Sequence, residues 1–147
     1  MRAKIPRIVA QRSWPILLFR TAESAFIVGR GLPQAERVAE ARELVRAVYG
    51  ATSAYPSSEM YGLVAQSRRA AVGIPANIAE GSGRGTAADY AHFVDFAVGS
   101  ACELETLIIL AADLGFVRAN VSESLQGRIR RERRMLIRFR QQLRRAG

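Results

Sequence analysis

From residue 33 onward the apolar positions recur at the helical period. Val38, Ala41, Leu44, Val45 and Val48 form one face and predict a first helix over about 33–52. Pro33 suits its first position. Glu36, Glu40 and Glu43 fall on the outer sides, with Arg37, Arg42 and Arg46 near them for weak pairing. The segment TSAYPSS breaks the pattern, and Ser57 or Ser58 is placed to cap a second helix over about 58–80. That helix carries Tyr61, Leu63, Val64, Ala70, Ala71, Ile74 and Ile78, with Pro75 inside it. Thr86 and Asp89 open a third helix, about 86–114, with a face running from Tyr90 and Phe93 through Leu104 to Ile108 and Ala111. Gly115 suits its left-handed cap. Asn120 and Glu123 are spaced to start a fourth, about 121–145, with the stripe Leu125, Ile129, Leu136, Phe139 and Leu143. Short loops between long helices force antiparallel neighbours, so the fold expected over 32–147 is all-α, an up-down-up-down four-helix bundle. Residues 1–31 read as an irregular or short-helical N-terminal arm ending in Gly29-Arg30-Gly31.

Composition narrows the function. The chain has 147 residues, a net charge of +9, and only one lysine among its basic residues, Lys4. Arginine's planar fork suits bidentate contact with phosphate or carboxylate, so an anionic partner is expected. Cys102 and His92 are the only residues of their kinds, which excludes an internal disulfide and a Cys/His zinc site. Pro15, Arg20 and Glu23 interrupt the apolar run near the N-terminus, so neither a signal sequence nor a spanning helix is expected, and a cytoplasmic location is.

The stretch RRAAVGIPANIAEGSGRG, residues 68–85, raises a chemical question. Pro75 removes a backbone donor and crowds the carbonyl of Ala71, which predicts a kink, with the Asn77 amide near the loosened groups. Gly81 to Gly85 precede a helix and include Arg84, as a phosphate loop would. No Gly-Lys-Ser/Thr and no preceding strand accompany them, so a helix cap and a tight hairpin is the preferred reading.

Tyr61-Gly62-Leu63, Gln66, Arg68-Arg69-Ala70-Ala71, Ile74-Pro75, Asn77-Ile78-Ala79-Glu80-Gly81 and Gly83-Arg84 form a long composite motif. It resembles the small four-helix-bundle proteins encoded in intervening sequences of bacterial 23S rRNA genes. The accessory variability determinant of diversity-generating retroelements belongs to the same group. Ala41, Leu44 and Val48-Tyr49 in the first helix match further, as do Gly99-Ser100, Glu103-Leu104-Glu105, Ala111 and Leu114-Gly115 around the third. The resemblance covers about residues 34–118. Val38 stands where the family has an aromatic residue, Gly73 stands where it has serine, and the arm before Pro33 has no counterpart. The resemblance implies a homopentamer of bundles and no catalytic activity. For the retroelement members it also implies binding to a reverse transcriptase and to nucleic acid.

The candidate binding residues stand apart from that motif. Arg128, Arg130, Arg131, Arg133, Arg134, Arg138, Arg140, Arg144 and Arg145 crowd the fourth helix, where only Glu123 and Glu132 are acidic. Pairing within the helix cannot neutralise them, so a phosphate backbone is the reading adopted, RNA or DNA, without base-specific readout. A solvated face and an anionic membrane surface are the alternatives; no membrane partner is expected. Tyr61, Gly62, Gln66, Arg68, Arg69, Pro75, Asn77, Glu80, Gly81 and Arg84 are assigned to structure or subunit contact, with Arg68 and Arg69 expected to bridge subunits or bundles by ion pairs and a basic surface as the alternative. Glu80, Glu103 and Glu105 lack the Glu-x-x-His pattern of a bundle metal site. No cofactor is expected. A small hydrolase built on Glu80, Arg84 and His92 is the least favoured reading, and a scaffold making protein contacts only is the main alternative.

Overall fold

A computed structural model describes residues 34–147, so the arm and Pro33 lie outside the described residues. The described residues form four α-helices: α1 (Gln34–Thr52), α2 (Ala65–Ser82), α3 (Ala87–Asp113) and α4 (Ala119–Ala146). Each packs on its chain neighbour and α1 closes against α4, giving the expected bundle. The apolar stripes meet in one core that includes Leu44, Val48, Ile74, Ile78, Val94, Leu104, Ile108, Ile129, Leu136 and Phe139. A smaller cluster of Tyr55, Val64 and Ala111 seals the end where α1 turns into α2.

The second helix departs from expectation at its start. A 3₁₀ turn at Ser57–Glu59 and a π-type turn at Met60–Val64 precede α2, and Gly62 leaves helical geometry at ψ −117°. The cap is neither serine: the Glu59 carboxylate accepts the Leu63 N–H at 3.1 Å. The helix itself runs unbroken through Pro75. Asn77 does engage a carbonyl, but it is that of Gly73, at 2.7 Å, rather than that of Ala71.

The other caps divide. Thr86 accepts the Asp89 N–H at 3.1 Å and donates to its carboxylate at 2.7 Å. Gly115 takes φ +74°, and the Phe116 N–H folds back to the Ala111 carbonyl at 2.8 Å. At α4, however, the helix begins one residue before Asn120, with Arg118 as its cap and no side-chain capping bond.

Candidate nucleic-acid interface

The nine arginines of α4 fall into two sets that only the packing separates. Arg130 and Arg133 reach across to Glu105 of α3 at 3.2 and 2.7 Å. Arg140 and Arg144 reach Asp95 at 2.6 and 2.8 Å. Each of these two carboxylates of α3 is thus bridged by two guanidinium groups about one turn apart. Asp95 and Glu105 are ten residues apart (95 to 105), as are Arg130 and Arg140 (130 to 140), so two antiparallel helices bring them together in register.

Arg128, Arg131, Arg134, Arg138 and Arg145 are exposed and have no acidic partner among the described residues. Four of them, Arg131, Arg134, Arg138 and Arg145, share a sector roughly 60° wide on the outer side of the helix, over about 21 Å of its length. Arg128 stands apart, at the rim of a groove between the end of α1 and the start of α4 floored by Ala47, Ala51, Val121 and Leu125. A row of unpaired guanidinium groups on a rigid helix matches a line of phosphates. The further exposed positions between them, Gln141 and Arg144, are not aromatic, so the row lacks the stacking platform of a single-strand binder.

The seam between α1 and α4 is electrostatically unusual. Arg37, expected among outer-side ion pairs, is only 6 % exposed, with its guanidinium 3.8 Å above the Phe139 ring. Burial lowers its pKa, opposed by Tyr90 and Glu36. Glu132 is 5 % exposed, and its Oε1 has no hydrogen-bond partner among the described residues. Burial first, and then Glu40, pushes its carboxyl up to about 7. Of the weak pairs expected along α1, Arg46–Glu43 forms, at 2.8 Å.

The motif residues of α2 take up several tasks. Gly81 lies against α3, where a β-carbon would stand 2.5 Å from the Tyr90 ring and 2.7 Å from Phe93. Glu80 pairs with Arg84 at 2.6 Å, and that guanidinium lies 4.3 Å over the Phe93 ring. The Gly83 and Arg84 N–H groups close back onto the carbonyls of Glu80 and Gly81. The loop therefore caps α2, and its arginine is already occupied. Tyr61 is 94 % exposed, while Gln66 and Arg69 also face outward. Arg68 forms no ion pair within the described residues; its Nε donates to Thr52 Oγ1 at 2.9 Å, and its guanidinium lies 4.6 Å over the Tyr49 ring. His92 packs edge-on to Phe96 at 4.6 Å.

A family model described as 23S rRNA-intervening sequence protein matches residues 34–138. The chain belongs to that family. The match spans α1, α2, α3 and most of α4, including the pairs of Glu105 with Arg130 and Arg133 but stopping short of Arg140 and Arg144. No curated protein matches the chain. None of the helices described is long and apolar enough to cross a membrane.

Reasoning along the chain missed Asp95 as an arginine partner, Thr52 and Tyr49 as supports for Arg68, and the buried state of Arg37 and Glu132. The shared ten-residue spacing was the signal for Asp95 and Glu105. No pattern in one helix signals the others.

Proposed function

We propose that this intervening-sequence-family member is a non-enzymatic, oligomeric nucleic-acid-binding protein that grips phosphates through the outer arginines of α4. The observation that carries the reading is the division of that helix. Four arginines share two carboxylates of α3, yet Arg131, Arg134, Arg138 and Arg145 remain exposed in one row with no ion pair among the described residues. Self-repulsion along such a row weakens the fold unless an anion compensates it. The family description points to RNA as the first ligand to test. The resemblance of the α2 motif to the retroelement accessory proteins supports a pentamer and, as a partner, a reverse transcriptase.

The test is a titration of labelled RNA and DNA duplexes across a salt series, with light scattering on the same samples. Replacing Arg131, Arg134, Arg138 and Arg145 by Gln is expected to abolish binding and leave the helical signal intact. Unchanged binding by that variant would rule out the outer row.

A second reading, a scaffold making protein contacts only, draws support from the α3 surface. Phe96, Leu110 and Leu114 are exposed there, on the side of α3 away from the core. That reading expects an oligomer that ignores both nucleic acids at physiological salt.

A further inference from the structure

The seam between α1 and α2 holds an arginine in an arrangement that differs from every other among the described residues. Thr52 is 2 % exposed, and its hydroxyl donates to the Tyr49 carbonyl at 3.3 Å. That leaves a lone pair of Oγ1 directed at Arg68, which donates Nε–H to it at 2.9 Å. The ring of the same Tyr49 then supports the guanidinium from one face at 4.6 Å. One residue thus orients the hydroxyl and carries the cation. Arg68 is held at two points, and its terminal nitrogens have no acceptor among the described residues.

Arg84 makes the comparison sharp. It too lies over an aromatic ring, but its terminal nitrogen is taken by Glu80. Arg68 has the support without the carboxylate. Ordering a long side chain sacrifices rotamer freedom, and a fork held with its outer edge free presents two parallel donors to an oxyanion at little further entropic loss. The neighbouring Arg69 is exposed and likewise has no acidic partner among the described residues, so the local field favours an anion.

We infer that Arg68, held by Thr52 and Tyr49, is a preorganised phosphate-binding position at the α1–α2 seam, separate from the arginine row of α4. The phosphate comes from the backbone of a bound nucleic acid or from free phosphate. The first source rests on the function proposed above; the site itself does not.

Two measurements on the full chain decide it. The first follows the arginine Nε–H signals by NMR as inorganic phosphate is added, with Arg68→Lys identifying the resonance. The Arg68 signal is expected to move while that of Arg69 stays near its starting position. The second is the RNA-duplex titration with Arg68→Gln, Thr52→Val and Thr52→Ser. Arg68→Gln is expected to weaken binding about tenfold, the scale of one charge-assisted contact, and to lower the salt slope by about one. Thr52→Val keeps the charge and the salt slope but weakens binding through lost positioning, and Thr52→Ser restores it.

A phosphate response with unchanged RNA binding by Arg68→Gln supports the site and assigns it to free phosphate. If the wild type binds no RNA, the proposed function fails and the NMR arm alone decides. An Arg68 signal unmoved by phosphate, with RNA binding unchanged in Arg68→Gln, overturns the inference.

Discussion

The hydrogen that serves as a side chain at Gly81 sets how closely α2 approaches α3. A methyl group there would meet the Tyr90 ring and the Phe93 β-carbon, both closer than van der Waals contact. Gly81→Ala is therefore expected to lower unfolding stability by about 1–3 kcal/mol in a denaturant titration. Gly50, inside α1 with open space around it, is the control. Gly50→Ala is expected to raise stability by about 0.5–1 kcal/mol through better helix propensity. Glu132 is the second residue whose setting decides its behaviour. Its folded-state value of about 7 lies above the ordinary 4.5, so the folded chain holds this proton more tightly than the unfolded chain. The stability it contributes is complete below about pH 4.5 and is lost as pH rises through about 7. That loss amounts to roughly 3 kcal/mol. Glu132→Gln is expected to remove this decline, so that denaturant midpoints at pH 5 and pH 8 draw together. The glycine was readable from the motif as structural, in a helix cap, but not as a close approach to α3. The carboxyl was not, because Glu132 looks like any acid in a basic helix until α1 covers it.

At the scale of the element, α4 behaves as two surfaces. Its flank toward α3 is a set of charge pairs, and its outer side is a row of cations. Asp95→Asn breaks two pairs at once, Arg140 and Arg144, both partly exposed. Exposed and half-exposed pairs are individually weak, so a stability loss of about 1 kcal/mol or less is expected in thermal denaturation. The same substitution frees two cations and removes one negative charge, so polyanion affinity should rise at low salt. Affinity that falls would mean that the α3 acids position the binding arginines rather than neutralise them. The abundance of arginine in this helix was legible in the sequence. Which arginines are free was not, since the deciding acids lie 25 to 49 positions away along the chain.

For the whole molecule, a net charge of +9 makes ionic strength the controlling variable. Each phosphate neutralised contributes about 0.9 to the slope of log affinity against log salt. A protomer using the four-arginine row should therefore show a slope of about 3–4, and an oligomer that engages several rows on one nucleic acid a steeper one. Measuring the slope at known oligomer size by light scattering separates the two cases. A slope near zero with intact helical structure would turn attention to the exposed Phe96, Leu110 and Leu114 of α3.

Four amphipathic stripes, two helix signals at Thr86 and Gly115, and a long motif in α2 were enough to specify the bundle and its family. They report local periodicity and backbone chemistry, which are written in consecutive residues. The entry into α2 was not so written, because Glu59 rather than a serine caps it and the chain leaves helical geometry at Gly62. Nor were the pairing of α4 with Asp95 and Glu105, the burial of Arg37 beneath α4, or the support of Arg68 by Thr52 and Tyr49. Each depends on which helix face meets which neighbour at which height, and charge and burial become properties of a residue only once that contact exists.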